Sequence, residues 1–490
     1  MFERKIEMIN KVAEYLSREG FYFYEKSFRK FSEDIYIFVV KKANEKSIGL
    51  LTQGDFTLSS PYFTERKYLK EIGYYLNLYP LTYENFVILK DKFSIAPSPC
   101  NKKVSFGMGD RLGLVTAAHI RAVENYDVFP VLAQQSPREL MKTHRSFKEA
   151  ILKAILGVLE EGYTGKFGAD ADHIKDENYL MEAIDAGYTM YTLDLSDMLV
   201  KLSDYTESQL KEKAEKLNIT SKRIIEKFKG KKFVMPTEEA FTVSEEELYK
   251  SALTYEKAMD FVEKVYGILK DKVKNFDLEI SIDEGDKDTT VEDHIFVAEY
   301  LHEKGIDFWS LAPKFPGEFQ KAIDYIGDVD KFAVELKKHQ FLSREFGGYK
   351  LSLHSGSDKF SIYKVFSEIT EGEFHIKTSG TSWLQAVNLI FEKDKKLFKE
   401  LYQIALYNLE ESKKAYKVLI DKKDFPENIN LEDSQIVSKP EIKQLFHISY
   451  GVLLEERKKQ IFEVLNKYEE EHYEFVRKNV ENHFKEIFSK

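Results

Sequence analysis

The sequence predicts a (β/α)8 TIM-type barrel, and two observations support this fold class. Short apolar runs alternate with helix-like segments eight times within residues 99–393. Each run ends in Gly, Ser, Asp or His, so polar side chains gather at the carboxyl ends of the strands, where barrels of this type carry their functional residues. A doubly wound open sheet is the alternative fold.

The eight predicted strands are short and rich in apolar residues. They comprise residues 104–110, 128–136, 166–173, 188–197, 276–286, 307–315, 349–357 and 374–381. The segments between them show the 3.6-residue apolar period of amphipathic helices, as in DHIFVAEYLHEKG after the fifth strand. The repeat therefore consists of eight βα units.

Three segments do not belong to this repeat. Residues 1–98 begin with a charged amphipathic helix and then mix apolar runs with helical stretches, which predicts an N-terminal α/β module. The interval between the fourth and fifth strands is too long for one helix, and it is rich in Lys and Glu. We expect a helical insertion near residues 198–260, placed to cap the barrel mouth. Residues 394–490 show helical periodicity only, which predicts a C-terminal helical extension.

Composition limits the classes of function. Hydrophobic residues make up 43 % and aromatic residues 14 % of the 490 residues, which excludes a mainly disordered chain. The formal net charge of -10 argues against a nucleic-acid-binding protein. Cys100 is the single cysteine, and the sequence has neither a secretory signal nor an apolar run long enough to span a membrane. We expect a cytoplasmic protein with a small-molecule substrate; an oligomer is possible.

Several common chemistries are excluded by missing motifs. The sequence contains no Walker phosphate loop and no nucleophile-elbow pentapeptide. The glycines after the first strand lack the rest of the dinucleotide fingerprint. NTP hydrolysis, serine-hydrolase chemistry and a nicotinamide cofactor are therefore not expected.

Two strand ends carry histidines that suit a metal. Asp172 and His173 end the third strand, and His354 ends the seventh, before a Gly/Ser turn. Alone, the first pair also fits a helix cap, and His354 also fits a packed histidine. Two histidines at the same end of one barrel favour a shared divalent cation, namely zinc, nickel, cobalt or manganese. Glu318, after the sixth strand, is the candidate third ligand.

A carboxylate lies inside the apolar run of the fifth strand. Glu279 needs a buried partner there, which either an active site or a structural salt bridge supplies. The acidic residues that follow it are expected to be solvated loop residues.

Four residues at other strand ends are candidates for binding substrate. Lys377 and the small-residue turn after it suit an anionic group, although an ordinary turn with an exposed lysine is the equal alternative. Arg111, Gln135 and Ser355 suit recognition of carboxylate and hydroxyl groups.

Long motifs resemble a known family, the bacterial tagaturonate/fructuronate epimerases of hexuronate catabolism. The resemblance extends over nearly the whole chain. It is carried by the Glu279 strand and by FGMGDRLG (106–113), AQQS (133–136), FGADADH (167–173), LHSGSDKFS (353–361) and FHIKTSGTSWL (374–384).

The resemblance implies a divalent-metal enzyme that interconverts D-tagaturonate and D-fructuronate. By motif, it implies that Asp172 is the proton acceptor, Glu279 the proton donor, and His173 and His354 metal ligands. A fainter similarity reaches class II sugar aldolases.

The substrates suggest the chemistry. With the carboxylate as carbon 1 and the ketone as carbon 5, the two hexuronates differ at carbon 3, which carries no acidified proton. We therefore expect cleavage and re-formation of the carbon 3–carbon 4 bond, a retro-aldol and aldol sequence. Two alternatives stay open: a metal-dependent sugar aldolase or ketose isomerase with a related substrate, and a non-catalytic aldolase-type partner subunit.

Overall fold

The N-terminal part of the protein is an antiparallel sheet with a helix on either side of it in the chain. The computed structural model describes residues 2–59, 66–93, 95–285, 287–416 and 418–489. The elements of this part are α1 (Phe2–Arg18), β1 (Tyr22–Ser32), β2 (Ile35–Lys42), β3 (Glu45–Thr52), β4 (Lys67–Leu69), β5 (Tyr74–Tyr79) and α2 (Tyr83–Phe93). The five strands form one sheet in the order β1-β2-β3-β5-β4.

A parallel sheet of eight strands forms the centre of the molecule, and a separate hairpin of two strands lies outside it. The strands are β6 (Val104–Met108), β7 (Phe129–Val131), β8 (Asp170–Ile174), β9 (Met190–Asp194), β10 (Lys232–Val234), β11 (Ala240–Thr242), β12 (Asp277–Ser281), β13 (Ser310–Ala312), β14 (Lys350–Leu353) and β15 (Phe374–Thr378). Of these, β10 and β11 form the hairpin.

The parallel sheet closes into a barrel. Its order is β7-β6-β15-β14-β13-β12-β9-β8, and bridges from Val131 to Gly168 and from Gln135 to Ala171 join the two ends. All eight predicted strands are present, so the predicted barrel is confirmed and the open sheet is excluded. The end of the fifth predicted strand, Asp286, lies outside the described residues.

Helices follow the barrel strands and continue beyond the last one. They are α3 (Thr116–Val123), α4 (Pro137–Thr143), α5 (Phe147–Glu160), α6 (Glu177–Ala186), α7 (Glu207–Glu215), α8 (Ile219–Phe228), α9 (Glu245–Lys272), α10 (Val291–Glu303), α11 (Val329–Glu345), α12 (Phe360–Ile369), α13 (Thr381–Lys393), α14 (Lys395–Tyr407), α15 (Leu409–Lys413), α16 (Pro440–Lys467) and α17 (Glu469–Ile487). Side-chain caps such as the Ser146–Glu149 capping box begin many of them.

The insertion after β9 differs from its prediction in two ways. It contains the β10–β11 hairpin as well as α7 and α8, because a Gly and polar turn residues interrupt the helical pattern. It packs on the outer helices: α8 contacts α9 and α10, and Phe233 contacts Phe341 of α11 at 6.0 Å between ring centroids. The insertion therefore lines the outside of the barrel and does not cap its mouth.

The C-terminal helices complete the barrel. Helix α17 packs against α3 and α12, and Phe484 meets Phe106 of β6 at 5.0 Å between ring centroids. Helix α16 packs against α13, where the Trp383 indole donates to the Phe446 carbonyl at 2.8 Å. This contact brings α16 to the barrel mouth. In the part of the chain that the structure describes, no helix is both long and apolar enough to cross a bilayer; the cytoplasmic location stays a prediction.

Candidate active site

A cavity at the carboxyl ends of the barrel strands is the candidate active site. The cavity and the open space at its entrance together have a volume of about 390 Å³. Five residues predicted from the sequence line it: Asp172, His173, His354, Ser355 and Lys377. The whole lining comprises Gln134, Asp172, His173, Lys321, Ala322, His354, Ser355, Ser357, Lys377, Ser379 and His447.

A bulge in β8 places both Asp172 and His173 at the cavity. In a regular strand, neighbouring side chains point to opposite faces. Here the pairing of β8 with β9 shifts register between Ala171 and Ile174, and His173 has a φ of 54°. Extra residues in a strand redirect side chains in this way beside active sites.

Left-handed backbone recurs around the cavity. Besides His173, the lining residues Ala322 and Ser355 have φ values of 67° and 50°. Such conformations are costly for residues other than glycine and cluster where a precise geometry is needed.

Each of the two histidines has a carboxylate at one ring nitrogen. His173 Nδ1 lies 3.1 Å from Asp194 Oδ2, and His354 Nε2 lies 2.7 Å from Glu279 Oε1. The ring centroids are 5.4 Å apart. A carboxylate that accepts one imidazole N–H leaves the other nitrogen free to bind a metal, as in carboxylate–histidine–metal triads. The second nitrogens, His173 Nε2 and His354 Nδ1, lie 3.7 Å from Asp172 Oδ1 and 3.2 Å from Asp283 Oδ1, so a cation bound there would have a carboxylate beside each imidazole.

The ammonium group of Lys377 joins three carboxylates beneath the histidines. Its Nζ lies 2.7 Å from Asp170 Oδ2, 2.8 Å from Asp172 Oδ1 and 2.9 Å from Glu279 Oε1. It also donates to the Thr192 hydroxyl. The prediction of Lys377 as an anchor for a substrate carboxylate does not fit this arrangement, because its charge is already shared among three acids.

Glu279 has the buried partners that the sequence requires, but it does not line the cavity. Its Oε2 accepts a hydrogen bond from Ser310 at 2.5 Å, and its Oε1 faces Lys377 and His354. Glu279 therefore reaches the cavity only through those two side chains.

The charges at the site keep Asp172 ionised. Burial favours the neutral acid, but His173, Lys377 and His354 together hold the pKa of Asp172 well below its usual range. The neighbouring Asp170 behaves differently, since burial raises its pKa to about 6 against the opposing charge of Lys377. Asp172 is thus a carboxylate base at neutral pH that also faces the cavity.

Asp283 was predicted to be a solvated loop residue, and this prediction is wrong. Its Oδ1 accepts from the Ser281 hydroxyl at 2.5 Å and lies 3.2 Å from His354 Nδ1. Burial alone lowers the pKa of His354, whereas Asp283 and Glu279 raise it, to a net value of about 10. No feature of the sequence distinguishes Asp283 from the acidic residues that follow it.

The donor set fits a divalent cation in type and charge. His354 Nδ1 is buried and has no hydrogen-bond partner of good geometry among the described residues. One lysine, Lys377, is buried among the carboxylates of the site, which leaves surplus negative charge for a cation to offset. The carboxylates are Asp170, Asp172, Asp194, Glu279 and Asp283. Within the described residues no three such donors already converge on one point, so binding requires side chains to adjust.

Besides Glu279, three predicted residues do not line the cavity. The Glu318 side chain is exposed, and its backbone pairs with Ile326, so it does not join the two histidines. Gln135 faces a separate small cavity with Arg145, because the neighbouring Gln134 takes the inward position. Arg111 is buried behind the wall of the cavity, where it pairs with Glu139 at 2.9 Å.

The fold and the site together have the arrangement of a (β/α)8-barrel enzyme with a polar, charged active-site cavity. An ionised carboxylate, a buried lysine and two carboxylate-backed imidazoles meet at the mouth of a (β/α)8 barrel, where such enzymes carry their active sites.

Comparisons with known proteins specify the family. A family model described as tagaturonate epimerase matches residues 24–487. The tagaturonate/fructuronate epimerase of Thermotoga maritima is 38 % identical over 482 residues, covering 97 % of this chain and 99 % of the relative. The crystal structure of the fructuronate-tagaturonate epimerase of Cohnella laeviribosi matches with a TM-score of 0.88 at 32 % identity, covering 98 % of this chain and 99 % of that one. The chain belongs to the tagaturonate epimerase family, and the resemblance seen in its motifs is confirmed.

Proposed function

We propose that this epimerase interconverts D-tagaturonate and D-fructuronate with the aid of a divalent cation. The observation that carries the proposal is the pair of carboxylate-backed histidines beside the ionised Asp172 at the cavity. The names of the relatives, which match nearly end to end, supply the substrate. A role in hexuronate catabolism follows from those substrates.

The reaction we propose breaks and re-forms the carbon 3–carbon 4 bond. Loss of the carbon 3 hydroxyl proton leaves an oxygen whose electrons form the aldehyde, while the bonding pair stays with carbon 4 as an enediolate. The three-carbon aldehyde then turns, and carbon 4 attacks its opposite face. A proton returned to the new alkoxide completes the inversion, so atoms and electrons balance without an oxidant.

The chain's own residues would handle the protons. Asp172 accepts the hydroxyl proton, and Lys377 keeps that carboxylate ionised and oriented at 2.8 Å. Glu279 accepts a hydrogen bond from His354 Nε2 and so orients that ring; the proton-donor role that the resemblance implies for Glu279 stays a prediction. His173 and His354 would hold the cation through His173 Nε2 and His354 Nδ1. Asp172 and Asp283 are the carboxylates that lie at these two nitrogens. When bound, the cation supplies Lewis-acid polarisation of the ketone and its adjacent hydroxyl.

The test is conversion of D-tagaturonate, followed by NMR, with metal-stripped and metal-restored protein. We expect fructuronate to form only after zinc, nickel, cobalt or manganese is restored. In D₂O, the retro-aldol route keeps the hydrogen on carbon 3, whereas direct deprotonation exchanges it for deuterium. Conversion without metal contradicts the cation, and deuterium at carbon 3 contradicts the route.

A further inference from the structure

Two groups of charged side chains line the cavity. One group comprises Asp172 and the two histidines, with further carboxylates behind them. The other comprises Lys321 and His447. The largest electrostatic effects on the His447 ring come from cations, namely Arg111, Lys321, Lys359 and Arg138. We call Lys321 and His447 the basic side of the cavity.

Arg111 determines which nitrogen of His447 carries the proton. The Arg111 guanidinium contacts His447 Nε2 at 3.3 Å and the His447 carbonyl at 3.2 Å, and Glu139 holds it in place. A guanidinium only donates hydrogen bonds, so Nε2 accepts and the proton lies on Nδ1. The Nδ1 atom is buried and has no partner among the described residues. His447 thus lines the cavity and carries an unused N–H donor at the edge of its ring that lies beside the Gly380 turn.

The position of His447 is tightly defined. A Cβ added at Gly380 would lie 2.0 Å from His447 Cε1, so the imidazole rests directly on the glycine of the turn after β15. Only a residue without a side chain permits this approach. Helix α16 thereby extends the site beyond the strand ends.

Lys321 is the second group on the basic side. Its Nζ donates to the Ser355 hydroxyl at 2.6 Å, and it forms no ion pair with a carboxylate of the described residues. The loop that carries it is fixed from two directions. Gln444 of α16 donates to Gln320 at 2.9 Å, and the buried Lys359 donates to the Gln320 carbonyl at 3.0 Å.

We infer that Lys321 and His447 bind the substrate's carboxylate: Lys321 pairs with its charge, and the Nδ1–H of His447 donates to one of its oxygens. A charge-assisted hydrogen bond of this kind satisfies the unused donor. The reacting carbons then lie toward Asp172 and His173 across the cavity. This inference rests on the proposed function and specifies how the same site recognises a uronate. Arg111, predicted to bind substrate, becomes a positioning residue that acts through His447.

The test uses D-gluconate, a hexonate with no ketone to react, as the carboxylate probe. Its binding to the metal-restored protein is measured by calorimetry in wild type, Lys321→Met and the matched control Lys338→Met. Lys338 lies on α11 and pairs with Glu335, away from the cavity. We expect Lys321→Met to weaken binding about 10- to 100-fold, as for a lost hydrogen bond between charged groups, and the control to bind normally.

Two substitutions of His447 distinguish loss of the Nδ1–H donor from loss of the packing of the imidazole. The side-chain amide of Asn places a donor where Nδ1 lies, whereas the amide of Gln reaches the Nε2 position and still accepts from Arg111. We expect His447→Gln to weaken gluconate binding about 10-fold or more, and His447→Asn to restore most of it. The reverse order would overturn the role of the donor.

The outcomes distinguish this inference from the proposed function. If wild type converts tagaturonate but Lys321→Met binds gluconate as wild type does, or wild type binds none, the inference is overturned and the function stands. If gluconate binding depends on Lys321 and His447 while wild type converts no tagaturonate, the carboxylate site stands and the proposed function falls.

Discussion

Among the described residues, two pairs of histidines have their rings in contact, and one of these pairs lies at the cavity. His173 and His354 meet at the barrel mouth with ring centroids 5.4 Å apart, and His294 and His339 meet between α10 and α11 at 5.1 Å. The two pairs differ in their hydrogen-bond partners. The ring nitrogens of the pair at the mouth form hydrogen bonds with carboxylates. Those of the outer pair form hydrogen bonds with each other, with the Tyr349 hydroxyl and with a backbone carbonyl.

The outer pair forms a complete chain of neutral hydrogen bonds. His339 Nε2 donates to the Thr289 carbonyl at 3.2 Å, so its Nδ1 accepts from His294 Nδ1 at 2.9 Å, and His294 Nε2 accepts from Tyr349. Every ring nitrogen is used, and burial lowers the pKa of His339 to about 4. At the mouth the second nitrogen of each ring faces a further carboxylate, Asp172 for His173 and Asp283 for His354. The surrounding groups, more than the imidazoles themselves, decide whether a histidine pair is structural or chemical.

The largest contrast is expected from alanine at one histidine of each pair. His354→Ala should lower kcat about 1,000-fold, because Lewis-acid stabilisation contributes several kcal/mol. His339→Ala should leave kcat unchanged and lower the free energy of unfolding by about 1–3 kcal/mol, since it strands buried polar partners. Kinetics and thermal unfolding of both variants check this. An equal loss of kcat in His354→Ala and His339→Ala would contradict the distinction between a chemical pair at the mouth and a structural pair outside it.

A smaller loss is expected when the base is removed but the histidines stay. Asp172→Asn should lower kcat about 10²- to 10⁴-fold, the contribution of a positioned base. Bound metal should remain. Asp185→Asn, an exposed carboxylate at the end of α6, is the matched control and should behave as wild type. A metal content that falls as far as the activity would instead make Asp172 chiefly a ligand.

The carboxylates behind the histidines have a moderate expected effect. Asp194→Asn takes the charge from the partner of His173 Nδ1 and should weaken metal affinity about 10- to 100-fold. Metal competition with a chelator measures this. Unchanged affinity would mean that Asp194 only caps the turn through its bond to the Ser196 amide.

The smallest expected effect is the contribution of the outer histidine pair, His294 and His339, to the pH dependence of the free energy of unfolding. The folded-state pKa of His339, about 4, lies below its unfolded value, so the unfolded chain binds the proton more tightly. Stability should therefore fall as pH decreases from about 6.5 to 4, by about 2 kcal/mol at pH 5 relative to pH 7. Thermal unfolding at these two pH values should show a smaller difference for His339→Phe. An equal difference would assign the pH dependence to other groups.

Strand ends made much of the site predictable from sequence. A barrel gathers the carboxyl ends of its strands, so Asp172, His173, His354 and Lys377 had to converge once eight βα units were recognised. Gln135 does not line the cavity, because strand alternation sends neighbouring side chains to opposite faces and the side chain that points inward is that of Gln134.

Residues outside the strands carried no comparable signal. Lys321 lies in the loop after β13 and His447 on a helix of the C-terminal extension, and packing alone brings them to the mouth. Asp194 ends β9 and lies near the carboxyl end of the fourth predicted strand, residues 188–197, so a systematic search of the polar residues at strand ends would have found it. Glu318, the candidate third metal ligand, does not reach the two histidines, because its backbone pairs with Ile326 and its side chain is exposed to solvent.

Cobalt titration of the metal-stripped protein tests the central claim most directly, because the visible spectrum of Co²⁺ reports its ligands independently of turnover. The histidine pair at the mouth predicts one cobalt per chain in wild type and in His339→Ala, and loss of that site in His354→Ala. Equal cobalt binding by His354→Ala and wild type, with the same spectrum, would contradict the account.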